Sequence, residues 1–200
     1  GGFLLYHDAK ENRLRAYDGR EMAPAAARPG RFLGADGKLL PFFEAAVGGR
    51  SVGVPGLPAL LDLVYRNHGR TLWPKLFAPA LRLAVEGFPL SPRLRKLLTE
   101  DRFLRDDPAA RRLYYEADGR PKPVGTKIVN RAFGFVLLAL AQHGTKIFYE
   151  GPIARDIVAW RKVNLETDPQ KKTLSRPDKA DEPFQDISKI RNRESGMKFA

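Results

Sequence analysis

Phe3-Leu4-Leu5-Tyr6 and Leu14-Arg15-Ala16-Tyr17 stand on either side of the polar run His7 to Arg13. Short apolar and aromatic runs around a polar turn read as the two arms of a β-hairpin. The first arm is apolar on both faces, the pattern of a strand inside a layered structure. The next stretch reads differently. From Glu21 to Gly37 the chain is rich in Pro, Ala and Gly and predicts loop, with Asp36-Gly37 as a turn signal.

Farther on, the apolar period changes from two to that of a helix. Leu57, Leu60, Leu61, Val64 and Tyr65 share one helix face, and Gly69 sits where a helix ends in the left-handed conformation. Leu76, Phe77, Ala80, Leu81, Ala84 and Val85 repeat the spacing up to Gly87. Pro79 interrupts that run, which predicts a short turn and then a fresh helix starting near Pro79. Ser91-Pro92 and Asp107-Pro108 each pair an N-capping side chain with proline at the first helical position. Another helix is expected over about Arg131 to His143, closed by Gly144, and a last one from Gly151-Pro152 to about Val163. The fold class is therefore α/β in the layered α+β sense, mostly helical after an N-terminal β-hairpin.

Composition narrows the function classes. Two hundred residues suffice for one domain with its own core. With no cysteine, disulfides, thiolate nucleophiles and cysteine metal sites are excluded. The longest apolar stretch, Ala132 to Ala141, is about half of what a membrane-spanning helix needs. No signal peptide is visible at Gly1-Gly2-Phe3. The formal charge of +12 favours anionic partners, but the Lys and Arg residues are spread along the chain with no docking motif, which argues against nucleic acid.

Five segments carry a resemblance to a known family. Gly1-Gly2-Phe3-Leu4-Leu5-Tyr6 resembles the strand after the glycine-rich segment of gamma-glutamyltranspeptidases. Asp18-Gly19-Arg20-Glu21-Met22-Ala23-Pro24-Ala25 resembles that family's Arg-Glu-Thr/Met-Ala-Pro motif. Gly49-Arg50-Ser51-Val52-Gly53-Val54-Pro55-Gly56 resembles the turn before a long helix. The stretch from Tyr65 through Gly69, Trp73, Pro79-Ala80 and Glu86-Gly87-Phe88 to Ser91 continues the pattern. Phe148-Tyr149-Glu150-Gly151-Pro152-Ile153-Ala154 resembles its Phe-Tyr-x-Gly-x-Ile/Leu-Ala motif. The resemblance covers residues 1–160 and marks them as part of a large subunit. It is looser between Gly125 and Ala141, where Ile128-Val129-Asn130-Arg131 replaces an expected leucine and Asn/Gln-Pro pair. Residues 161–200 read as a divergent polar tail.

The resemblance implies an N-terminal nucleophile hydrolase with an αββα sandwich, made as a precursor that cuts itself into two subunits. It implies cleavage of the γ-glutamyl amide of glutathione and related donors, with transfer to water, amino acids or peptides. The threonine that begins the small subunit is the nucleophile, its own amine can serve as base, and no cofactor or metal is used. Arg20 is the implied substrate-binding residue, because a guanidinium fork matches the α-carboxylate of the glutamyl donor and fixes its orientation. Glu21 is expected to support the site. Periplasmic or extracellular placement follows from the family.

Other candidates weigh less. Gly49, Ser51 and Gly53 match a Gly-x-Ser-x-Gly pattern without a clear preceding strand, a histidine or an acid, so Ser51 reads as structural. His7, His68 and His143 lack metal spacing and read as turn and helix-end residues. Thr71, Thr99, Thr126, Thr145, Thr167 and Thr173 all lie outside the Thr-Thr-His/Ser context of the family's nucleophile, so the chain is expected to carry no catalytic residue and to be inactive alone. Without partner strands it should also be marginally stable. The competing reading is a degenerate, non-catalytic basic interaction module.

Overall fold

The computed structural model of the chain describes residues 1–25 and 27–166, with the backbone alone from residue 160 onward. β1 (Phe3–Asp8) and β2 (Arg13–Asp18) pair antiparallel, with Phe3 opposite Asp18 and Asp8 opposite Arg13. The Asp8 carboxylate closes the turn by accepting the Lys10 and Glu11 amides at 2.9 and 3.3 Å. Those two bonds, the Lys10 one first, hold its carboxyl below the usual range. Asn12 takes the left-handed position at φ 49°, which its short polar side chain tolerates. Alternation leaves Leu4 and Tyr6 half-buried, while Phe3 and Leu5 face outward and are exposed among the described residues.

The expected loop is interrupted by a 3₁₀ turn at Pro29–Phe32. Leu33 and Leu39 then bridge around the Asp36-Gly37 turn, where Gly37 has φ 74°. After a short helix α1 (Phe42–Ala46), helix α2 covers Leu57–His68 with Pro58 in its first turn. The reading of Gly69 as a left-handed cap is corrected, because its backbone is extended at φ −63°, ψ 135°. Glycine is needed there for room, since a Cβ would collide with the ring and carbonyl of Tyr65.

A second correction concerns Pro79. Instead of a turn and a new helix, α3 runs unbroken over Trp73–Glu86 with Pro79 inside it. Proline removes one helical bond, and packing against α6 (Arg131–His143) outweighs that loss. Ala84 is buried at this contact, and Trp73 Nε1 donates to the Leu140 carbonyl of α6 at 2.8 Å. α6 has the bounds the sequence predicts. Asn130 caps it by accepting the Phe133 amide at 3.0 Å, and Gly144 closes it at φ 69°.

Between α3 and α6 lies the tightest core. β3 (Phe88–Pro89) pairs with β4 (Lys127–Ile128), setting Phe88 opposite Ile128. Leu90 and Ile128 are 1% exposed and pack with Leu98 and Tyr115, whose hydroxyl donates to the Leu98 carbonyl at 3.1 Å. α4 (Pro92–Glu100) and α5 (Pro108–Tyr114) enclose this core with the expected caps. Ser91 Oγ accepts the Leu94 amide at 3.1 Å, and the Asp107 carboxylate accepts the Ala110 amide at 2.7 Å.

α7 (Lys146–Tyr149) and α8 (Pro152–Glu166) complete the described chain. The tail expected over 161–200 lies outside the described residues from 167 on. No helix among the described residues is long and apolar enough to cross a membrane.

Candidate functional site

Arg20 follows β2, and its backbone is fixed from several sides. Gly2 and Gly19 exchange backbone bonds at 3.3 and 2.9 Å, extending the hairpin to the residue before Arg20. On the other side Met22 and Val54 exchange bonds at 3.3 and 2.9 Å. The Asp18 carboxylate accepts the Arg20 amide at 2.8 Å. Arg20 and Glu21 thus span the gap between two antiparallel bridges, with little backbone freedom left.

The start of α2 closes the back of this segment. A Cβ on Gly56 would lie 2.5 Å from the Arg20 carbonyl oxygen and 2.7 Å from that of Gly19. A Cβ on Gly53 would lie 2.7 Å from Glu21 Cβ, and one on Gly19 would lie 2.6 Å from Leu60 Cβ. At Gly56 the two segments meet backbone to backbone, while Gly53 and Gly19 lie against the Glu21 and Leu60 side chains, so a side chain at any of the three would collide. The run from Gly48 to Gly56, legible in sequence as a tight turn, is therefore also a seat for the Arg20 motif.

The guanidinium itself is accessible. The Arg20 side chain is 61% exposed, and its Nε pairs with the Glu21 carboxylate at 3.2 Å. That contact sets the Glu21 carboxylate beside the Arg20 head. A fixed backbone carrying an accessible guanidinium can take a carboxylate with two parallel bonds.

Two aromatic side chains tie this corner together, and the sequence reveals the partners of neither. His68, at the end of α2, puts Nε2 2.6 Å from the Tyr17 hydroxyl and stacks on Tyr6 with ring centroids 3.8 Å apart. Tyr149, at the end of α7, donates its hydroxyl to the Pro55 carbonyl at 2.7 Å and accepts the Ala59 amide at 3.1 Å. Burial raises its hydroxyl pKa. The signal for Tyr149 was its place in the Phe148-to-Ala154 motif, although no spacing reveals its partner.

The remaining candidates fall elsewhere. Ser51 Oγ donates to the carbonyls of Ala46 at 2.6 Å and Gly48 at 3.2 Å, which is the structural role expected of it. The reading of His7 as a turn residue is corrected, because it lies in β1 opposite Leu14, with its ring 3.3 Å from Asn12 Oδ1. His143 occupies the last turn of α6. Thr145 Oγ1 donates to the Asp62 carboxylate at 3.3 Å. Among the described residues, no group of three or more His, Asp and Glu is placed to hold a metal ion.

Known proteins share the sequence pattern and the fold of this chain. A glutathione hydrolase proenzyme of Bacillus subtilis (strain 168) is 30% identical over 157 residues, 78% of this chain and 27% of that protein. Scoloptoxin SSD14 of Scolopendra dehaani is 33% identical over 160 residues, 79% of this chain and 27% of that protein. The chain thus spans about a quarter of the length of these relatives. The crystal structure of Helicobacter pylori gamma-glutamyltranspeptidase superimposes with a TM-score of 0.76 at 28% identity, over 82% of this chain and 47% of that one. The fold class is therefore that of the N-terminal nucleophile hydrolases, represented here by one hairpin and the helices after it. The Gamma-glutamyltranspeptidase family profile matches residues 1–164, and with those relatives it establishes that this chain belongs to the gamma-glutamyltranspeptidase family.

Proposed function

We propose that this chain supplies the donor-carboxylate site of a γ-glutamyltransferase and glutathione hydrolase. The carrying observation is Arg20, with its backbone fixed between two bridges and its guanidinium 61% exposed. The α-carboxylate of glutathione or another γ-glutamyl donor takes the fork of Arg20, and Glu21 holds the arginine in place. Fixing that end sets the γ-carbonyl at a defined point, which lowers the barrier by removing orientational freedom.

The reaction we assign proceeds through a threonine outside the threonines of this chain, at the start of the small subunit of the same precursor. Its hydroxyl oxygen bonds to the γ-carbonyl carbon as the carbon–nitrogen amide bond breaks. The hydroxyl proton passes through the threonine's own amine to the leaving nitrogen. Water, an amino acid or a peptide then attacks the ester carbon and releases the threonine oxygen, which takes back a proton. Residues 1–160 belong to the large-subunit part of this arrangement, and residues 161–200 are a divergent polar stretch of sequence. We assign the protein to the periplasm or the extracellular space, where the family acts.

The test uses the complete product of the coding sequence that contains these 200 residues, assayed for γ-glutamyl anilide hydrolysis. Arg20→Ala is expected to raise the donor KM by roughly 10²-fold, and Arg20→Lys to recover only part of that, since an ammonium lacks the fork. Absence of turnover, or an unchanged donor KM in Arg20→Ala, would overturn the reading.

A further inference from the structure

The geometry points to Tyr149 as a positioning residue for Arg20, acting through the Pro55-Gly56 peptide; this rests on the donor-site reading of Arg20. Tyr149 reaches back from the far end of the described chain, 94 positions from Pro55. Its hydroxyl makes two bonds there, to the Pro55 carbonyl and from the Ala59 amide, at 2.7 and 3.1 Å. The first fixes the peptide that leads into Gly56. The second satisfies an amide of the first turn of α2, which no side chain of α2's own N-cap does.

Gly56 is the point at which this hold passes to the site. Its Cα lies against the carbonyls of Gly19 and Arg20 so closely that a methyl would stand 2.7 and 2.5 Å from their oxygens. One position earlier than Pro55, Val54 exchanges two backbone bonds with Met22. The strip from Val54 to Gly56 is therefore clamped by Tyr149 on one side and bears on residues 19–22 on the other. A rotation of the Pro55-Gly56 peptide would push into the Arg20 carbonyl or open the Met22–Val54 bridge. Either would move the Cα from which the guanidinium extends. The hydroxyl matters in this scheme, and the ring alone does not suffice. Glu21 orients the arginine head locally, whereas Tyr149 sets where its backbone stands.

Tyr149→Phe in the complete gene product isolates the claim, because it removes one oxygen and leaves the ring. The expected result is a donor KM raised about three- to tenfold with kcat nearly unchanged, the pattern of lost binding that is equal in ground and transition states. Hydrogen exchange at the Met22 and Val54 amides should quicken by about five- to tenfold, while the distant Leu90 and Gly125 amides keep their protection. Gly56→Ala should give the same split more strongly. In an Arg20→Ala background, Tyr149→Phe should add no further change in donor KM.

The inference is overturned if kcat falls with KM unchanged, if Met22 and Val54 keep their protection, or if Leu90 and Gly125 lose theirs equally. Full additivity with Arg20→Ala also overturns it. Should the complete protein show no turnover, the donor-site reading fails, and the exchange measurement still decides whether Tyr149 holds the Arg20 segment.

Discussion

His68 Nε2 lies 2.6 Å from the Tyr17 hydroxyl, so the last residue of α2 grips the strand that leads into Arg20. The same ring stacks on Tyr6 of the other strand at 3.8 Å between centroids. A two-stranded hairpin alone is marginal in water, and this contact anchors both of its strands to a helix. His68→Ala should therefore lower unfolding free energy by about 1–3 kcal/mol, the sum of one hydrogen bond and one aromatic pair. Tyr17→Phe, which removes the hydroxyl alone, should lower it by about 1 kcal/mol. Urea melts compare the two, and equal stability of His68→Ala and the unmodified chain would contradict the anchor.

Gly19 and Leu60 touch where β2 runs out against α2. An alanine at 19 would place its methyl 2.6 Å from Leu60 Cβ, well inside contact distance. Gly19→Ala is expected to destabilise by about 1–3 kcal/mol through overpacking. Combined with Leu60→Gly, which removes the Cβ that the methyl strikes, the loss should be smaller than the two single losses added together. Strict additivity in a double-mutant cycle would show that the two residues do not collide.

Pro79 leaves α3 one hydrogen bond short at a position that is fully helical. Pro79→Ala restores the donor for the Lys75 carbonyl and should raise stability by about 1–3 kcal/mol, up to the difference in helix propensity. A fall in melting temperature would mean that the proline relieves strain that alanine cannot.

Two of the six tyrosines, Tyr115 and Tyr149, have hydroxyl pKa values raised by burial. The folded chain then keeps protons that the unfolded chain loses above about pH 10. Fewer protons on the unfolded state give stability a negative slope with pH. Their contribution is full below pH 10 and declines as pH rises from there toward the folded values. Ultraviolet titration should show a late tyrosinate component that shrinks in Tyr115→Phe and in Tyr149→Phe. A single early transition would contradict the burial of both hydroxyls.

The parts of this fold that sequence reveals are those set by neighbours in the chain. The hairpin announces itself by two apolar runs and a polar turn. Ser91, Asp107 and Gly144 mark helix ends because capping is settled within a few residues. Pro79 and Gly69 mislead for the opposite reason. The helix through Pro79 is held by contacts with α6, and Gly69 is required by the Tyr65 ring rather than by its own handedness. The β3–β4 pair joins residues about forty positions apart and is only two residues long on each side, too short for any alternation to show.

Of the candidate site, the motif makes Arg20 legible, while the geometry around it is not. Nothing near Arg20 in sequence indicates that Gly56 lies behind it or that Tyr149 steadies Gly56. A tyrosine hydroxyl finds its partner through the fold, and aromatic residues in helices are ordinarily read as core. The dense glycines from Gly48 to Gly56 were the available clue, since repeated loss of Cβ commonly marks close backbone approach.

The span of the Tyr149–Pro55 bond also sets an order in time. Chains are made from the amino end, and their early segments fold as they emerge. The contact between Tyr17 and His68, 51 positions apart, becomes available long before the contact 94 positions long between Pro55 and Tyr149. Longer loops close at greater entropic cost. A nascent chain halted short of α7 would already display Arg20 on a docked hairpin, yet the peptide behind it would still be free to turn. The residue assigned to meet the donor is thus synthesised well before the tyrosine that fixes the peptide behind it.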